Sequence, residues 1–267
     1  MEQAIDFLEE SRQLYRLMIK RENSDYYKKT QFKDWTIDQV FGHLHIFNHA
    51  ANISLKSSDA FDSFFTPMAV AISNGSKLVD IQVEWLDGLS GPNLLHAWWE
   101  GVLEISEKYT RANPKVRLKW VGPEMSAKSS VTARQMETWA HGQEIFDILG
   151  ETRVEHDRIR NIVHLGVSTF GWTFDNRQMS IPNHPPYVKL QSPSGSNWEW
   201  NEPSLISRVE GLAVDFASVV AQTRNVKDTS LKVTGDVAKK WMSIAQCFAG
   251  PPSDPPPVNT RFVVARK

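Results

Sequence analysis

The chain has 267 residues, 41% hydrophobic and 23% charged, proportions that suit a globular protein with a sizeable core and exclude a wholly disordered one. Thirty basic and 31 acidic residues nearly cancel without runs of like charge, so there is no electrostatic footprint for nucleic acid or an anionic membrane surface. A single cysteine, Cys247, excludes an intrachain disulfide and any multi-cysteine zinc site.

The length favours two domains of roughly 100–150 residues each. The opening MEQAIDFLEESRQLYR carries acids where a signal peptide needs cations, and no apolar run approaches the roughly 20 residues that span a bilayer. The expectation is a cytoplasmic protein, monomer or homodimer, acting on a small molecule. Ten tryptophans suggest either well-filled cores or an aromatic-lined cleft.

Residues 3–20 place Ile5, Leu8, Tyr15, Met18 and Ile19 at helical spacing, and 36–55 and 92–111 repeat the pattern at greater length. Between them, 59–74 reads as a shorter helix interrupted near Pro67. A further helix over 129–149 ends at Gly150, a residue suited to a left-handed C-terminal cap. Short connections predict an up-and-down helical bundle over 1–150, an architecture whose core is a usual place for a metal site.

After Gly150 the texture changes. A helix near 155–170 leads to YVKLQSPSGSNWEWN, two alternating runs about a Pro-Ser-Gly turn that predict a hairpin. Then come 207–211 (strand or helix start), a helix near 211–223, a strand at 231–234 and a helix over 236–249. That order predicts a small α+β domain over 151–250. Cys247 falls in the last helix as a buried, inert thiol. The proline-rich tail, 251–267, reads as an extended arm or a disordered end.

Two stretches carry the chemistry. In DWTIDQVFGHLHIFNHAA, Thr36 and Gln39 form a capping-box pattern that fixes the helix start, and His43, His45 and His49 follow. At about 100° per residue, Val40, Leu44, Phe47 and Ala51 form the apolar stripe; His43 lies near it, while His45 and His49 fall on the far side, toward water. In METWAHGQEIF the same projection aligns Glu137, His141, Glu144 and Ile148. Two histidines and a carboxylate form a ligand set used by catalytic zinc and non-haem iron, with positions left open. An E-x-x-x-H pair on a helix is also compatible with two solvated side chains.

The segments WTIDQVFGHL and ARQMETWAHGQEIFDILG resemble the DinB-like superfamily, and within it the mycothiol-dependent maleylpyruvate isomerase group. LQSPSGSNWEW and TGDVAKKWMSIAQCFAGPP are similar to the C-terminal region of an uncharacterised branch of that group. The resemblance implies an α+β protein: a DinB-like metal-binding bundle followed by a small sterol-carrier-like domain. It also implies a divalent metal, zinc above nickel or iron, held by His43, Glu137 and His141. The stretch IAQCFAGPP lacks Arg and Lys where the isomerase's basic substrate residue belongs. Arg224 is the substitute candidate, its plain alternative being an ion pair with Asp228. Glu144, one turn past His141, is a candidate base or a solvated carboxylate, and Ser126 and Lys128 are loop residues near the same helix.

The leading reading is a metal-dependent enzyme with a low-molecular-weight, mycothiol-like thiol as co-substrate, an isomerase or S-transferase. Alternatives are a hydrolase using metal-activated water and a non-catalytic carrier of a small apolar ligand.

Overall fold

The computed structural model describes residues 1–265, and the chain divides into one unit ending at Ile148 and another starting at Leu149. The first unit contains α1 (Glu2–Met18), α2 (Ile37–Lys56), α3 (Ser58–Ser73), α4 (Leu78–Leu86) and α5 (Gly91–Arg111). A two-residue antiparallel pair, β1 (Arg117–Leu118) with β2 (Met125–Ser126), then leads into α6 (Ala127–Ile148). Helix α2 starts where its capping box dictates: Thr36 Oγ1 accepts from the Gln39 amide at 3.2 Å, and Gln39 Oε1 accepts from the Thr36 amide at 2.9 Å. Such a cap contributes about 1 kcal/mol and fixes where the helix begins.

Helices α1 and α2 each pack on both α5 and α6, so the four long helices form a ring, with α3 and α4 laid against the outside of α2. Leu14, Val40, Phe41, Leu44, Trp98, Val102, Val131 and Trp139 fill its centre, each at 0% exposure. Two features differ from the sequence expectation. Helix α3 runs unbroken through Pro67, which removes one backbone bond of the helix without ending it. Helix α4 has no counterpart in the periodicity, because Gln82 is its only buried residue. Gly150 takes φ 65° beyond α6, the left-handed cap conformation expected of it.

The second unit opens with α7 (Arg160–Ser168) and α8 (Phe170–Asp175), two helices in place of one. A four-stranded sheet follows in the order β4-β3-β5-β6, from β3 (Tyr187–Gln191), β4 (Asn197–Trp200), β5 (Arg208–Leu212) and β6 (Lys232–Thr234). The predicted hairpin is β3–β4, antiparallel with Leu190 opposite Trp198; β5 joins β3 in parallel, with Val188 opposite Val209. Helix α9 (Ala213–Val220) connects β5 toward β6 and packs on both β3 and β5, with α7 beside it. Helix α10 (Asp236–Ile244) ends five residues before the expected 249. The Cys247 amide donates instead to the Val220 carbonyl at 2.9 Å, which draws the chain out of helical geometry. The proline-rich tail is an arm held by side-chain amides: Gln222 donates to the Ser253 carbonyl and Asn225 to that of Pro256. Residues 266–267 of that tail lie outside the described residues. Among the described residues no helix is long and apolar enough to cross a membrane.

Candidate metal centre

His43 on α2 and Glu137 and His141 on α6 meet in the helical unit, each offering one ligand atom within 4.8 Å of the others. Helix geometry accounts for the pairing: Glu137 and His141 are four residues apart and therefore share a face of α6, and His43 meets that face from α2. Glu137 Oε2 lies 3.5 Å from His43 Nε2 and 3.4 Å from His141 Nε2. A tetrahedral cation about 2.0–2.1 Å from such donors spaces them roughly 3.3–3.4 Å apart, so these separations fit one. The histidine side chains are 12% exposed and that of Glu137 is 22% exposed.

The protonation states also suit ligation. Burial pushes the His43 pKa down to about 4, against the opposing hydrogen bond to Glu137, so the ring is neutral at physiological pH. Burial alone would raise the Glu137 pKa; the hydrogen bonds of His141 and His43, and the charges of His141 and Arg134, hold it well below the ordinary carboxylate range. Arg134 sits one turn before Glu137 on α6, only 2% exposed, with Nε donating to Asn48 Oδ1 at 3.1 Å and the guanidinium 5.9 Å from the Phe47 ring. It is a fixed positive charge behind the carboxylate.

Aromatic rings wall the cluster. Trp35 stacks on His141 at 6.4 Å and tilts against His43 at 5.5 Å; Phe32 meets His141 edge-on at 5.0 Å, and Phe47 lies 4.7 Å from His43. Phe32 and Trp35 belong to a tight turn before α2 in which Lys33 and Asp34 take left-handed backbone angles. Thr30 closes the turn, its amide and its hydroxyl both donating to the Trp35 carbonyl, at 2.8 and 2.9 Å.

Other expectations fare differently. Glu144 is buried on α6 at 2% exposure and is outside the three-ligand cluster. Arg224 is in the second unit, its guanidinium donating to the Thr223 carbonyl at 2.8 Å, while Asp228 accepts from the Asn259 amide. Ser126 caps α6 by accepting from the Ser129 amide, and Lys128 is exposed. His45 is partly covered and not fully turned to water: its ring lies 5.5 Å from that of Trp85, because α4 covers this side of α2. His49 is exposed at the edge of the same group, against Trp85 and Phe64. Sequence reasoning missed Arg134, Gln82, Phe32 and Trp35. Arg134 was signalled by its three-residue spacing from Glu137; Gln82, 39 positions from its partner His43, had no local signal.

Two uncharacterized proteins, from two strains of Mycobacterium tuberculosis, are each 36% identical over 218 residues, covering 82% of this chain and 84% of theirs. The fold matches the crystal structure of the mycothiol-dependent maleylpyruvate isomerase, with a TM-score of 0.56, 13% identity, and coverage of 86% of this chain and 92% of that one. A histidine-to-alanine mutant of that enzyme matches equally well in TM-score, at 12% identity. Residues 7–146, just over half of the chain, match the family described as mycothiol maleylpyruvate isomerase N-terminal domain, and the chain belongs to that family.

Proposed function

We propose that this chain is a metal-dependent enzyme that takes a small thiol of the mycothiol class as co-substrate and isomerises or S-conjugates a small electrophilic molecule. The observation that carries the reading is the cluster of His43, Glu137 and His141 in a chain of this family. Three protein ligands leave a position of a tetrahedral ion for an outside group, whereas a closed structural zinc site has four. Zinc is the ion we favour; nickel and ferrous iron accept the same donors.

A bound divalent cation supplies the positive charge that keeps a thiol deprotonated at neutral pH. The chain's own residues do the rest. His43, neutral through burial, and the ionised Glu137 carry no net excess proton to lose on ligation; the single His43 ring proton only has to reside on Nδ1. Arg134 stabilises the Glu137 charge from behind. Phe32, Trp35 and Phe47 keep water from one side of the ligands and offer an apolar wall to a carbon skeleton. The nucleophilic sulfur comes from outside, since Cys247 is 5% exposed and in the other unit. We assign the reaction to the cytoplasm, where small thiols stay reduced.

In the isomerisation the thiolate sulfur forms a C–S bond to an activated double bond as the π pair shifts onto the conjugated carbonyl oxygen; the substrate rotates about the resulting single bond, and return of that pair re-forms the double bond and expels the thiolate. In the conjugation the C–S bond forms as the leaving group departs with its electron pair. The test is an assay of zinc-loaded protein on unsaturated 2-oxo acids and electrophiles, with and without mycothiol or glutathione. Thiol-dependent turnover that disappears in His141→Ala supports the proposal. Turnover without thiol would make the protein a hydrolase, and tight apolar binding without turnover would make it a carrier; either result overturns the proposal.

A further inference from the structure

Gln82 reaches the cluster from outside the two helices that carry it. It is 1% exposed, the only buried residue of α4, and its Nε2 lies 2.8 Å from His43 Nδ1. Its other end, Oε1, is buried without a hydrogen-bond partner among the described residues. Helix α4 lies against α2 beside His43: a Cβ at Gly42 would fall 2.8 Å from Leu86 Cδ1, the tip of a side chain at the end of α4.

We propose that Gln82 is a positioning residue for His43, presenting one end of its amide to each of the two neutral forms of the ring. The proposal rests on the metal reading given above. With the amide nitrogen donating to Nδ1, the His43 proton resides on Nε2, 3.5 Å from Glu137 Oε2, which is the arrangement for a cation-free site. When Nε2 lends its lone pair to a cation, the ring proton has to reside on Nδ1, where it needs an acceptor. Rotating the amide by half a turn brings Oε1 to Nδ1 and supplies that acceptor. The two ends of the amide are nearly equal in size, so the rotation leaves the packing intact. Leucine could serve neither form, and a carboxylate could only accept.

The experiment measures the zinc dissociation constant, by competition with a chelating dye, for the full-length wild type, Gln82→Leu and Gln82→Glu. Nitrogen-15 NMR of labelled histidine reports in parallel which His43 nitrogen carries the proton. Loss of a side chain that orients a ligand typically weakens metal binding about 10–100-fold, and that is the loss expected for Gln82→Leu. Gln82→Glu should recover most of the affinity, because the carboxylate accepts from Nδ1–H. In the wild type the His43 proton should move from Nε2 to Nδ1 as zinc is added. Wild-type affinity in Gln82→Leu, or equal weakening in both variants as packing alone would give, overturns the proposal. A wild type without saturable zinc binding overturns the metal reading itself, and the proposal with it.

Discussion

Replacing His45 by leucine should make the metal-free protein markedly less sensitive to acid. His45 stands on α2 against Trp85; its Nδ1 is buried without a hydrogen-bond partner among the described residues, and a Cβ at Gly101 would sit 3.9 Å from that atom. Burial pushes its pKa from 6.5 down to about 4, and the charge of neighbouring His49 adds to the shift. Above pH 6.5 the ring is neutral in both folded and unfolded chains, so it makes no pH-dependent contribution. As pH falls from 6.5 toward 4, the unfolded chain takes up a proton that the folded one refuses, and stability drops. Below about 4 both states are protonated, and the loss is complete. At about 1.4 kcal/mol per pH unit the full effect is near 3 kcal/mol, and partial exposure of the ring reduces it to about 2 kcal/mol. Urea unfolding with EDTA present, at pH values from 7.5 to 4, should therefore show His45→Leu gaining on the wild type by that amount as the buffer is acidified. Parallel losses in the two proteins would refute the assignment of a buried, neutral ring.

His43→Ala, Glu137→Ala and His141→Ala should each lose most bound zinc while far-UV circular dichroism is unchanged, since apolar residues form the bundle core; full occupancy in the Glu137 or His141 variant would refute the site. Cys247→Ser should retain the proposed thiol-dependent turnover, because the Cys247 thiol is buried and the proposal draws its nucleophile from outside; loss of turnover in a folded variant would count against an external thiol. A fragment of residues 1–150 should melt cooperatively as a helical unit, and an unfolded fragment by circular dichroism would refute a domain boundary there.

What the sequence disclosed was what short-range geometry controls. The Thr36–Gln39 cap is local, so the start of α2 followed from it, and the direction of His43 followed from the apolar stripe of Val40, Leu44, Phe47 and Ala51. Four-residue spacing joined Glu137 to His141 on α6, and the side chains chosen from those two helix faces do meet in space. The hairpin was legible because Leu190 and Trp198 alternate with polar neighbours on either side of a turn. The misreadings have non-local causes. His45 was assigned to solvent because one apolar stripe was taken as the whole contact surface of α2, whereas α3 and α4 cover a second side. Helix α4 itself left no pattern, since its one buried residue is a glutamine whose partner lies on another helix. The end of α10 is fixed by a backbone bond to Val220, 27 positions away in sequence, which no helix-ending signal could announce.

The tight turn that carries Phe32 and Trp35 separates two kinds of evolutionary freedom. The three candidate donors are fixed to α2 and α6, where a shift of any residue would propagate through the bundle, but the rings facing them are borne by a short surface segment closed by Thr30 and two left-handed residues. Substitutions within that segment would remodel the aromatic wall of the cluster while the candidate donors stayed in register. A lineage that inherits this scaffold can therefore change the apolar wall by exchanging a handful of neighbouring codons, while the three side chains of the cluster keep their places.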